Sequence, residues 1–404
     1  MRWEKVKLGE LAKCIQPGPF GSQLHNSDYA DEGTPIVMPK DMINGRICHA
    51  SLIRVPDDHL ERLRRHQVSA GDLMVARKGD VRKCVYITEE EEGWLTGSDC
   101  LKVCLDKSRC FPKFIYYQLR SPYIANWLEQ ISIGSTMPSL NTGLLSSIEL
   151  NLPEISKQKT IATVLSVYDD LIENNQKQVK LLEEAAKRLY KEWFVDLRFP
   201  GYENTKIVDG VPEGWSRKPF SEVVTVMSGG TPKTDVKDYY AGTIPFYTPK
   251  DSDGSFFAFN TVNHISQLGL KNCNSQYYPA GTVIITARGT VGKTAILAVP
   301  MAMNQSCYAL KCDSLHSPYY LFFALNKEVD RLRVMANGGV FNTIIVKTFD
   351  HISIFIPTSA VLELFNLTVS PIMEQIKTKL KQNTSLKEAR DRLLPKLMNG
   401  ELEV

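Results

Sequence analysis

The chain has 404 residues, 43% of them hydrophobic and 23% charged, and a formal net charge of +3. That length exceeds one ordinary domain, and the composition is that of a soluble globular protein, neither disordered nor membrane-spanning. No apolar run is long enough to span a bilayer, and MRWEKVKLGE is not a signal peptide. The nine cysteines form no CxxC pair and lack closely spaced histidines, so reduced thiols, no metal site and a cytoplasmic location are expected.

From the N-terminus, PIVMPKDM (35–42) precedes AGDLMVARKGDVRK (70–83), where DLMVA and the following CVYIT read as strands joined by a basic turn. SDCLKVCLD (98–106), FPKFIYYQL (111–119) and SIELNLP (147–153) follow. Local charge is uneven: RLRRHQ (62–67) and KLKQ (379–382) are basic, and TEEEEGW (88–94) is acidic. After Pro153 the texture changes to a long stretch free of proline and glycine, with Ile161, Leu165, Tyr168, Ile172, Val179, Leu182, Ala186, Leu189 and Trp193 in four-three alternation. Asn175 takes the one polar slot, a device that sets register in a coiled-coil seam of about five heptads, roughly 60 Å long. Leu171, Leu181, Tyr190 and Phe194 suggest a second apolar face, suited to another protein's helices.

The chain then repeats itself. PFYTPKDS (245–252), AGTVIITARGTVGK (280–293), QSCYALKCD (305–313), SPYYLFFAL (317–325) and HISIFIP (351–357) echo the earlier segments in order, at offsets drifting from 210 to 204. This is a duplicated module, too long for a solenoid repeat. A final stretch carries Ile372, Ile376, Leu386 and Leu393 at seam spacing, but Pro371 and Pro395 predict a shorter or kinked helix. Antiparallel packing of the two helices would hold the modules apart in approximate two-fold relation.

The string GTVGKT at 289–294 looks like the end of a phosphate-binding loop, which would make the chain a nucleotidase using Lys293. Against this, Ala287 stands where the first glycine is required. The first repeat has Arg82 and Cys84 in place of Gly292 and Thr294, and AILAV reads as a strand, not a helix. A third alternative is a coiled-coil adaptor without sequence specificity.

Together these segments resemble the specificity subunit of type I restriction–modification systems. The resemblance rests on PFGSQLHNSDYADEGTPIVMPKDM (19–42), GSTMPSLNTGLLSSIELNLP (134–153), QKTIATVLSVYDDLIENNQKQVKLLEEAAKRLYKEWFVDLRFPGYE (158–203), VPEGW (211–215), MSGGTPKT (227–234) and TARGTVGKT (286–294). It implies an α+β chain with β-rich target-recognition domains at 1–153 and 200–357 and long antiparallel helical regions at 154–199 and 358–404. It also implies a non-catalytic subunit whose two domains each read half of a split double-stranded DNA target while the helices set the gap. Two adenine methyltransferase subunits would dock on it, with restriction subunits in the full complex. S-adenosylmethionine, ATP and magnesium would belong to those partners and no cofactor to this chain. With so light a positive charge, the partners would supply much of the phosphate neutralisation.

The residues themselves nominate a DNA-binding set. The hairpin tips contribute Arg77, Lys78, Arg82 and Lys83, and Arg288 and Lys293, because basic turns suit phosphate oxygens and guanine edges. Lys40 and Lys250 occupy the matched PKD turns. Gly21 with Ser22, and Gly230 with Thr231, sit in matched loops with N–H and hydroxyl donors. Asn141 and Asn342 are either adenine readers or turn caps.

Overall fold

The computed structural model describes residues 3–132, 139–312, 317–337 and 343–404. Compact packing divides the chain into two units, Met1–Ile172 with Ser385–Val404, and Glu173–Thr384.

Each unit holds one copy of the repeat, built on the same three sheets. In the first, a four-stranded antiparallel sheet runs in the order Ala12–Pro17, Cys100–Leu105, Leu73–Ala76, Cys84–Tyr86. Beside it Thr34–Val37 pairs antiparallel with Ile53–Val55 and parallel with Leu95–Thr96, and Glu4–Lys7 pairs with Glu149–Leu152. The second copy repeats this with Thr225–Ser228, Cys307–Lys311, Val283–Thr286 and Thr294–Leu297, the last also pairing parallel with Phe257–Ala258. Its Ile244–Tyr247 has the same antiparallel and parallel neighbours, and Ser216–Pro219 pairs with Ser353–Ile356.

The central strands are apolar without interruption because both of their faces are covered. Leu73 and Val75 enter one core cluster while Met74 and Ala76 enter another, the two-residue alternation of a strand. Val283 and Ile285 are likewise divided from Ile284.

The duplication extends to single backbone bonds. Leu8 N–H donates to Ile148 O at 2.9 Å, as Phe220 does to Ile352. Gly18 donates to Cys100 O at 3.0 Å and Gly229 to Cys307 O at 3.2 Å. Gly97 donates to Val37 O and Asn304 to Tyr247 O, both at 2.9 Å. A Cβ at Gly18 would collide with the Gly97 backbone, and one at Gly229 with the Met303–Asn304 backbone, so glycine is required at both.

Each copy ends in a strand, one proline and one further residue, then a helix of 40 residues: Ile155–Phe194 and Ser359–Met398. The second helix corrects the sequence reading, since it starts well before Pro371 and runs unbroken through both prolines. Pro371 lies on the exposed face, where the carbonyl it leaves unbonded meets water while Val369, Met373 and Ile376 stay buried.

The helices face each other antiparallel within each unit. In the first unit Asp169 meets Arg390 at 2.6 Å, and Leu165 shares a core with Leu394 and Leu397. In the second, Asn175 Nδ2 donates to Asn383 Oδ1 at 3.1 Å, and the Trp193 and Phe365 rings lie 5.8 Å apart. Ile161, Leu165, Ile172, Val179 and Trp193 are buried as the seam requires, and Leu182 and Leu189 are half-buried. On the second helix Ile376 is buried, Ile372, Leu386 and Leu393 half-buried, and the fully buried Phe365, Val369 and Met373 complete the stripe. Tyr190 and Phe194 enter the second unit's aromatic core, packed on Tyr320 and Phe365, so only Leu171 and Leu181 of the four extra apolar residues face solvent.

Arg390 and Asp169 are 12% and 10% exposed, and Asp169 also accepts the Tyr117 hydroxyl at 2.7 Å. Arg390→Met should therefore lower stability by about 1.5–3 kcal/mol, because it removes a charged hydrogen-bond partner from a carboxylate that keeps Tyr117 and Arg120. Urea unfolding measures this; a loss below about 1 kcal/mol would mean the pair is solvated.

Candidate nucleic-acid interface

The two hairpins share one geometry. Val75 pairs with Cys84 and Ile285 with Thr294, leaving seven-residue loops at 77–83 and 287–293 that contain Gly79 (φ 77°) and Gly289 (φ 75°). Ala76 N–H donates to Lys83 O at 2.9 Å and Thr286 N–H to Lys293 O at 2.8 Å, closing each loop. A third segment pins each base: Leu140 N–H donates to Arg77 O at 2.8 Å, and Ile344 N–H to Ala287 O at 3.0 Å.

The second loop does not form a phosphate cradle. Gly292 N–H donates to Thr286 O and Lys293 N–H to Thr286 Oγ1, so donors that would face an anion are already used. Arg333 fills the loop from outside, its guanidinium donating to the carbonyls of Val291 at 3.2 Å and Gly292 at 3.1 Å. The strand Thr294–Leu297 follows directly, so no helix N-terminus is present.

The nominated residues divide into those presented to solvent and those used internally. Lys40 and Lys250 are exposed, each in a turn whose aspartate caps it: Asp41 accepts Met38 N–H at 2.9 Å and Asp251 accepts Thr248 N–H at 2.8 Å. Arg288 is exposed at the second tip, and Lys293 is half-buried. In the first tip Lys78 pairs with Asp99 at 3.1 Å and Arg82 with Asp80 at 2.8 Å. The Arg82 guanidinium holds the Asp80 carboxyl below the ordinary carboxylate range. The Arg77 guanidinium lies over the Phe20 ring, 6.0 Å from its centroid.

Several placements differ from the sequence reading. Lys83 does not project from the tip; its ammonium donates to Pro39 O at 2.9 Å and ties the hairpin to the PKD turn. Gly230 is buried, and its N–H donates to Met303 O, so it offers no donor to a sugar-phosphate chain. Thr231 Oγ1 bonds to Gln305. Asn141 caps the Thr142–Ser146 helix, its Oδ1 accepting Leu144 N–H at 2.8 Å. Gly21 is exposed with φ 60° and open space about it. The Ser22 side chain and all of Asn342 lie outside the described residues. The matched bonds of Gly18 and Gly229 also shift the loop correspondence, so that Thr231 stands where the first repeat has Phe20. Phe20, Arg333 and Asp99 were missed: an aromatic between glycines was the available signal for the first, and nothing local announced the other two.

Among the described residues no His, Cys, Asp and Glu cluster could hold a metal, and no helix is long and apolar enough to cross a membrane. Burial pushes the Cys84 thiol up to about 12, which leaves it a poor nucleophile.

The fold and its loops define a class: an α+β chain with a tandem module, each copy presenting a basic hairpin and a lysine-bearing turn. The chain belongs to the type I restriction modification DNA specificity domain family, whose profile matches residues 1–184 and 212–382. It is 29% identical to the type I restriction enzyme MjaIX specificity subunit of Methanocaldococcus jannaschii, over 100% of this chain and 94% of that protein. It is 23% identical to the HindI specificity subunit of Haemophilus influenzae, over 99% of each. Its fold matches the crystal structure of the type I restriction–modification system S subunit from M. genitalium with a TM-score of 0.63 at 16% identity, covering 98% and 96% of the two chains.

The placements separate two lysines that look alike in sequence. Lys83→Met should cost about 1–3 kcal/mol by leaving the Pro39 carbonyl without its donor, whereas Lys40→Ala should stay within about 0.5 kcal/mol. Equal midpoints in urea for both variants would contradict the inward placement of Lys83.

Proposed function

We propose that this chain is the DNA-recognition subunit of a type I restriction–modification complex, each repeat reading one half of a bipartite target. The observation that carries this is the conjunction of family membership with a duplicated module in which a set of backbone bonds recurs while the tips differ. Two copies of one framework dock alike on a duplex; different tip residues read different bases. The chain itself is non-catalytic and binds no cofactor. Methyltransferase subunits dock on its helices and bring S-adenosylmethionine, and restriction subunits bring ATP and magnesium chemistry. The paired helices set the distance between half-sites, and the near-neutral charge leaves much of the phosphate contact to the partners.

Mapping methylated adenines in DNA from cells that carry this chain and its cognate methyltransferase tests the reading. Two short blocks at a constant separation are expected; one uninterrupted block, or methylation without sequence preference, would overturn it. Arg288→Ala should then relax base choice by about 1–3 kcal/mol in one block alone. Equal relaxation in both blocks would detach Arg288 from half-site reading.

A further inference from the structure

Phe20 is 56% exposed, an unusual position for an aromatic held in a stiff loop. On one side Gly18 is locked against the Gly97 backbone and bonded to Cys100, and on the other Gly21 turns the chain at φ 60°. The Arg77 guanidinium lies 6.0 Å from the ring centroid. Arg77 is itself fixed, its N–H donating to Asp99 O at 2.7 Å and its carbonyl accepting Leu140 N–H. Among the described residues no carboxylate pairs with the Arg77 side chain.

The second repeat keeps the framework and omits this pair. Thr231, bonded to Gln305, replaces the ring, and Ala287 replaces the arginine. The backbone bonds of Arg77 recur at Ala287, and those of Gly18 recur at Gly229 two residues before Thr231, so the second repeat builds the surrounding frame without this pair. An apolar ring kept in water beside a cation, next to a basic hairpin, suits a partner that is aromatic and anionic at once. Stacked bases between phosphates have that chemistry.

Resting on the DNA-recognition reading above, we propose that Phe20 inserts its ring at a base step of the half-site bound by the first repeat, with Arg77 on the adjoining phosphate. That half-site is then selected partly for ease of unstacking, as at pyrimidine–purine steps, a criterion the second repeat does not apply.

The test uses the full chain with its cognate methyltransferase on its mapped target, carrying 2-aminopurine at successive positions of the first half-site. The wild-type complex should raise fluorescence at one step besides the methylated adenine, which a methyltransferase turns out of the stack in any case. Phe20→Ala should abolish that rise and weaken binding about 5- to 150-fold, the range for removing one base–aromatic stack. Phe20→Trp should keep the rise, and base changes in the other half-site should affect all three proteins equally. Phe20→Ala with unchanged affinity and an unchanged signal would overturn the proposal. So would a Phe20→Ala chain with an unaltered thermal transition that no longer assembles with the methyltransferase on gel filtration, since the ring would then serve a protein contact. Failure of the wild-type complex to discriminate any sequence would instead defeat the DNA-recognition reading itself.

Discussion

The rest of the structure depends on the antiparallel pairing of two 40-residue helices and on the polar contacts that fix its register. Asn175 and Asn383 bond to each other inside the seam of the second unit, and Asp169 and Arg390 do so in the first. An apolar seam alone tolerates slippage by a heptad at modest loss. A slipped seam would part the two amides inside it and separate Asp169 from Arg390, which penalises other registers. The helices are joined to their modules with little slack. Glu149–Leu152 and Ser353–Ile356 each lead through one proline and one further residue into a helix.

On this base the two copies divide what is shared from what is particular. The shared part is buried backbone: the strand ladders, the Gly18 and Gly229 contacts, the loop closures at Lys83 and Lys293. These positions tolerate little change because their bonds are mutually dependent. The particular part is solvent-facing, including the Arg82–Asp80 pair of one tip, the Arg288 of the other, and Phe20 with the Arg77 guanidinium over its ring in the first repeat. A recognition module needs this division, since specificity has to change without disturbing the scaffold that positions it.

Much of the fold was legible in the sequence because strand and hairpin segments recur with their apolar alternation intact, and because the first helix shows an uninterrupted seam. In sequence Pro371 and Pro395 point to a shorter or kinked second helix, yet it runs 40 residues through both. Its start at Ser359 depends on Phe365 and Val369 finding a buried face, which is a tertiary fact. Asn383 escaped notice for a related reason: a search for apolar periodicity passes over a polar residue whose partner, Asn175, lies 208 positions away. The candidate site was less legible. Basic residues at a turn do not announce which way they point, and Lys83 goes inward because the Pro39 carbonyl is within reach. Asp80 and Asp99 offset two of the charges that the sequence offered as free.

In the proposed reading, helix length sets half-site separation. Removing seven residues from the Ile155–Phe194 helix together with the seven that face them on Ser359–Met398 keeps the seam in phase and shortens the pair by about 10 Å. Methylated-adenine mapping of the shortened chain with its methyltransferase should find the same two base blocks with a gap smaller by about three base pairs, at 3.4 Å each. An unaltered gap with both blocks still recognised would contradict the claim that these helices measure the target.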